Sequence, residues 1–359
     1  MMAYAEDGVF ENKIVIGQTI GISGDVAGPV KEMLEGSRAY FDFINTSGGI
    51  HGRKIELKIL DDEFNPLKTL ANAEILVKKE HVFALFQSRG TPHTERILPV
   101  LTSFQIPLIA PITGSSVFYE RKYRYLFNTR AKYQDEISKG VEHFFTTGIN
   151  EVSLIYVNDA FGMDGFAGFS KAMSRYKLNP IATYHIDRIS PDINATVNAL
   201  VNTSSKAVII VASSSTTVEI IKNLRVKNNA IQIMTLSNNS SQSFVNSLGP
   251  LGYGVIVSQI MPPPHLMTSM LGQEFKKIAQ ANGVAPTYAA MEGFVAAKVL
   301  VEGIKRSGSN PTRTGLIKGL ETMRNFDLGG LVISYDEQNH DGSKFIELSI
   351  ISKTDQFLR

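Results

Sequence analysis

The segment Gly21-Ile22-Ser23-Gly24-Asp25 places a serine hydroxyl among glycines that tolerate unusual φ, directly after the apolar run Lys13-Ile14-Val15-Ile16-Gly17. Serine on a strand-to-helix turn invites a reading as a nucleophile. The segment lacks the second glycine of G-x-S-x-G, however, and no base with its orienting acid is recognisable for Ser23. The seven histidines are scattered, with no H-E-x-x-H, so no zinc centre is expected. Asp336-Glu337-Gln338-Asn339-His340-Asp341-Gly342 superficially follows a calcium loop but misses its ligand spacing and its twelfth-position glutamate. A polar hairpin turn between 331–335 and 344–348 is the expectation there. Gly249-Pro250-Leu251-Gly252-Tyr253-Gly254 departs from G-x-G-x-x-G, so no dinucleotide site is expected. The absence of cysteine removes thiol catalysis, thiolate metal sites and disulfides, and suits an exported chain. No enzyme activity, cofactor or metal is expected. What remains is binding through hydroxyls, with Ser23 expected among the ligand-binding residues, backbone N–H groups and helix starts.

The elements that would position such groups alternate along the chain. After the strand at 13–17 and the glycine-containing turn comes a helix with Met33, Leu34, Ala39, Tyr40, Phe41 and Ile44 on its apolar face, stopped by Gly48-Gly49. A strand at 55–60 ends at Asp61-Asp62. Helix 67–79, strand 82–86, helix 94–104 and strand 107–110 follow, with further strands at 152–156, 207–211, 232–235 and 254–257. Helices are expected at 271–281, 288–307 and about 314–323. This order predicts an α/β fold with mainly parallel sheets flanked by helices. At 359 residues the chain exceeds one ordinary core, so two lobes are expected. A net charge of +2, evenly dispersed, gives no reason to expect nucleic acid or an anionic membrane as a partner. No uninterrupted apolar window is long enough to span a bilayer. Ala3-Tyr4-Ala5 before Glu6-Asp7 has the small-x-small form of a signal-peptidase site, predicting a chain that begins near a natural cleavage point, its signal peptide removed.

Four pieces in sequence carry a resemblance. They are Gly17 to Gly24, Glu35-Gly36 to Ile44-Asn45, the turn Gly48-Gly49-Ile50-His51-Gly52-Arg53, and Asp61-Asp62 to Pro66. Phe127-Asn128-Thr129-Arg130, Asp159-Ala160-Phe161-Gly162 and Phe326-Asp327-Leu328-Gly329-Gly330 extend it almost to the C-terminus. Together they resemble type I periplasmic binding proteins, most nearly the leucine/isoleucine/valine-binding receptors of ABC importers for branched-chain amino acids. The resemblance implies a two-lobed fold with three interlobe crossings, near Arg130, near Ile260 to Pro264 and near Ser334 to Asp336. Lobe 1 would be 6–130 plus 261–335, and lobe 2 would be 131–260 plus 336–359.

It also implies a site. Loops at the carboxyl ends of parallel strands favour an anion, and in amino-acid receptors of this kind two first-lobe loops hold the ligand's carboxylate. The matching loops are Gln87 to Thr91, with Arg89, Gly90 and Thr91, and Ile112 to Ser116, with Ile112, Thr113, Gly114 and Ser115. Arg89 would add a forked charge-assisted contact; a solvent-facing arginine is the alternative. Phe161, Tyr133 and Tyr288 would cover the ligand body, and Ser213, Ser214, Ser215, Ser237 and Asn238 leave strands facing it. Where such receptors place acids against an ammonium group, this chain has Tyr133 and Ser237. Either Asp159, Asp135 or Glu292 substitutes, or the ligand has no ammonium group.

The expected function is that of an extracytoplasmic, periplasmic solute receptor. It would capture an aliphatic or aromatic acid, or a neutral branched-chain amino acid, by hinge closure, and present it to ABC permease subunits. The membrane would be met only through that permease. A ligand-sensing module of the same fold, reporting to a signalling partner, is the alternative, and a hydrolase-type enzyme on a similar scaffold a further one.

Overall fold

The computed structural model describes residues 6–120, 123–228, 230–265 and 267–358, so Ala3-Tyr4-Ala5 lies outside the described residues. The chain forms two compact units, the first built from 1–113, 117–130 and 261–345, the second from 114–116, 131–260 and 346–359.

The first unit opens with β1 (Lys13–Ile20), α1 (Ala27–Thr46), β2 (Lys54–Asp61), α2 (Pro66–Lys78), β3 (Ala84–Phe86), α3 (Thr91–Ser103), β4 (Leu108–Ile109) and β5 (Leu126–Phe127). The strands form one parallel sheet in the order β2-β1-β3-β4-β5. From Ile14 to Ile20 every residue of β1 is buried, which explains its continuous rather than alternating apolar reading. Asn65 caps α2, accepting from the backbone N–H of Leu67 and Lys68. Helix α3 begins three residues before its expected start, because Pro92 sits in the first turn, where a missing N–H costs nothing.

The second unit continues with α4 (Tyr133–Thr146), β6 (Val152–Val157), α5 (Ala160–Arg175), β7 (Thr183–Ile186), α6 (Ile193–Val201), β8 (Ala207–Val211), α7 (Ser214–Lys227), β9 (Gln232–Thr235), α8 (Gln242–Leu248) and β10 (Ile256–Gln259). Its parallel strands are ordered β10-β9-β8-β6-β7. Alternate residues of β8 serve two cores. Val208 and Ile210 pack with α6, α7 and α8, while Ala207, Ile209 and Val211 pack with α4 and α5.

The chain then returns to the first unit with α9 (Met270–Ala281), α10 (Tyr288–Arg306), α11 (Arg313–Glu321) and the small antiparallel sheet β11 (Phe326–Asp327), β12 (Val332–Asp336) and β13 (Asn339–Gly342). Helix α10 crosses α1 at backbone contact. A Cβ on Gly36 would meet Ala290 O at 1.9 Å, and one on Gly293 would meet Met33 O at 2.0 Å. The hairpin is tighter than expected. Strand β12 pairs with β13 rather than with 344–348, and β14 (Glu347–Ile351) joins the second unit's sheet antiparallel to β10, followed by β15 (Phe357–Leu358). Residues 336–345, expected in the second lobe, therefore belong to the first unit. They are held there by Asn128 N–H donating to His340 O at 2.9 Å and by the His340 ring stacked 3.8 Å from Phe127.

Candidate functional site

The carboxyl ends of the first unit's strands gather most of the residues expected there. The turn after β1 folds over Asp61, whose Oδ2 accepts the Ser23 hydroxyl at 2.6 Å and whose Oδ1 accepts from the N–H of Ile22 and Glu63. Although burial acts to raise the Asp61 pKa, these hydrogen bonds prevail and hold it below the usual carboxylate range. Ser23 is thus a brace of the turn. Next to it Asp62 is buried, accepting from Thr19 and Thr69 hydroxyls and from Phe64 N–H, and burial pushes its pKa up to about 6.

Two loops then run side by side. Ile112 donates its N–H to Ser88 O at 2.7 Å, and Gly90 donates to Ile112 O at 3.1 Å. This register brings Thr91 Oγ1 within 2.8 Å of Thr113 Oγ1, both buried. Thr91 is the first residue of α3, and Gly90 at φ 99° supplies no side-chain cap to that helix, so its first-turn N–H groups sit beside the threonine pair. Arg89 is only 4% exposed, with Nη1 3.5 Å from Met33 Sδ of α1, which excludes the solvent-facing alternative. Tyr288 opens α10 and is buried; one turn on, Glu292 Oε1 accepts from Arg130 Nη1 at 3.2 Å inside the unit.

Gly114 and Ser115, expected with the first-lobe loop, pack in the second unit instead. Gly114 O accepts from Tyr133 N–H at 2.7 Å, and Ser116 N–H donates to Asp164, whose pKa burial raises. Tyr133 opens α4 and lies 4.8 Å ring to ring from Phe161, the second residue of α5, whose capping residue is Asp159. Asp159 Oδ1 accepts from Phe161 and Gly162 N–H, and its other oxygen is held by Arg188. Of the three acids considered as substitutes for an ammonium partner, Asp159 is therefore neutralised by Arg188 and Glu292 by Arg130, while Asp135 is exposed on α4.

Ser214 opens α7 and donates to Asn239 Oδ1 at 2.8 Å, and Ser215 lies 3.3 Å from Ser213, hydroxyl to hydroxyl. Asn238 donates to Ala212 O at 2.9 Å. Ser237 donates both its N–H and its hydroxyl to Glu136, at 2.9 Å each, and Ser258 adds a third contact at 2.5 Å. Sequence reasoning missed Glu136. An acid on the inward face of α4, in line with Tyr133, Ile137 and Gly140, was the available signal.

Among the described residues no helix is long and apolar enough to cross a membrane, and no group of three or more His, Cys, Asp or Glu is placed to hold a metal ion. Comparison with known proteins gives a match to the periplasmic binding protein family model over residues 13–346. A substrate-binding periplasmic protein from Ralstonia solanacearum is 28% identical with a TM-score of 0.88, over 95% of this chain and 98% of that one. A possible leucine/isoleucine/valine-binding protein from Rhodopirellula baltica SH 1 shares the fold at 23% identity and TM-score 0.90, over 99% and 98%. So does a fatty acid ABC transporter substrate-binding protein from Thermomonospora curvata, at 18% identity and TM-score 0.87, over 98% and 91%. With both parallel sheets in place and the family match running from β1 to the edge of β14, the chain belongs to the periplasmic binding protein family.

Proposed function

We propose that this solute-binding protein is the extracytoplasmic receptor of an ABC importer and that its solute carries a carboxylate. The observation that carries this reading is the Thr91–Thr113 hydroxyl pair at the uncapped start of α3, with the buried Arg89 in the same loop. Hydroxyls, helix N–H groups and a guanidinium form a donor set suited to an anion. Tyr133, Phe161 and Tyr288 supply apolar surface for the ligand body, and Ser115, Ser214, Ser215, Ser237 and Asn238 supply further polar contacts. The Thermomonospora relative's fatty acid and the Rhodopirellula relative's possible branched-chain amino acids are both carboxylates, which fits the donor set. Family membership implies a location outside the cytoplasm, and a permease is the expected partner.

Calorimetric titration with aliphatic acids, aromatic acids and neutral amino acids tests the reading. Tight binding of at least one, weakened by Thr91→Val, is the expected result; heat from none of them removes it. Capture by hinge closure belongs to the same proposal and is checked by a ligand-dependent fall in the radius of gyration in solution scattering.

A further inference from the structure

The buried polar atoms of the first unit that lack a hydrogen-bond partner include three from two glutamines, Gln18 Oε1 and both Nε2 and Oε1 of Gln87. Gln18 is 0% and Gln87 1% exposed. The two are neighbours, since Gln18 Nε2 donates to Gln87 O at 3.3 Å. Gln87 leaves β3 two residues before Arg89 and four before Thr91, and its φ of 47° is a left-handed conformation that glycine or asparagine adopts more easily. A buried amide with neither end bonded is costly, and a left-handed backbone at a non-glycine residue adds to the cost. Packing alone gives no reason to keep glutamine here, because methionine has nearly its volume and none of its unmet polarity.

We infer that Gln87, backed by Gln18, reads a second, neutral polar group on the carboxylate solute, a hydroxyl or a carboxamide. A primary amide offers one face that donates and one that accepts, which complements a neutral group able to do both. This inference rests on the carboxylate reading above, and it narrows the solute to acids bearing such a group.

The experiment uses matched acids of one skeleton: 4-methylpentanoate against 2-hydroxy-4-methylpentanoate, benzoate against 4-hydroxybenzoate, and hexanoate against adipamate. Melting shifts and titrations are run on the wild type, on Gln87→Met and on Gln18→Leu. The expected result is that the substituted member of at least one pair binds the wild type about tenfold or more tighter than its plain partner. In Gln87→Met that preference disappears while the plain acid keeps its affinity, and the ligand-free melting point stays level or rises because an unmet buried amide has gone. Gln18→Leu moves the preference in the same direction by less. Equal affinities within every wild-type pair, or a preference that survives Gln87→Met, overturn the inference while leaving the carboxylate reading intact. Melting unmoved by every acid removes the carboxylate reading, and this inference with it.

Discussion

The two units present the same architectural edge, loops at the carboxyl ends of parallel strands, yet furnish it in opposite ways. In the second unit many of the polar groups bond one another: Asp159 caps α5 and pairs with Arg188, Glu136 takes the donors of Ser237 and Ser258, and Ser214 and Asn238 bond across from one loop to the other, to Asn239 and Ala212. In the first unit α3 begins without a side-chain cap, two threonine hydroxyls face each other, an arginine is buried beside a thioether, and Gln87 has both amide ends unmet. One edge is closed largely by internal bonding and displays rings; the other keeps a buried glutamine amide unmet. Under the proposed reading, the difference teaches that exposure does not mark the binding groups here. The unmet buried amide does.

Substitutions should separate the two edges by which measurement they move. Glu136→Ala strands three buried donors at once, so urea denaturation should show a loss of about 4 kcal/mol. A loss below about 1 kcal/mol would mean that the second edge is not braced by this carboxylate. Asp62 belongs to the first edge and should act with the opposite sign. Its folded pKa, raised to about 6, exceeds the ordinary unfolded value, so its stabilising contribution is complete below the unfolded pKa and is lost as pH rises through 6. Unfolding free energies measured between pH 4 and 7 should therefore fall in the wild type by on the order of 2–3 kcal/mol more than in Asp62→Asn. Parallel pH profiles would show that Asp62 stores no such cost. Arg89→Met should lower affinity for a bound acid by roughly 2 kcal/mol, about thirtyfold, with a smaller change in stability. Unchanged affinity together with a large stability loss would turn Arg89 into a packing residue. Thr91→Val should cost about 1 kcal/mol of affinity, and the same change at Thr113 should add little to it, because the two hydroxyls share one contact.

Much of this was legible in the sequence because it depends on local pattern. Buried parallel strands such as β1 and β8 read as unbroken apolar runs, and Asp159 announces its helix as a capping residue two positions before its first bonded N–H. The loops carrying Thr91, Thr113 and Phe161 followed from strand ends together with family resemblance. What escaped reading depends on partners far away in the chain. Glu136 meets Ser258, Arg130 meets Glu292 and Gln18 meets Gln87 across separations that no window of residues spans. The hairpin at 332–342 departs from expectation for a related reason. Strand-like residues at 344–348 lead into β14, and whether such a segment pairs with β12 or with β10 is settled by tertiary competition rather than by its own composition. Gln87 gave no warning at all, since glutamine has no special liking for a left-handed backbone.

The crossing of α1 and α10 has a kinetic consequence. Gly36 is made long before Gly293, and neither helix finds the other's bare backbone until everything between them has left the ribosome. The second unit's parallel strands arise from one uninterrupted stretch and are free to condense before α1 and α10 meet, while β14 and β15 reach that sheet only after the first unit's last strand has been made.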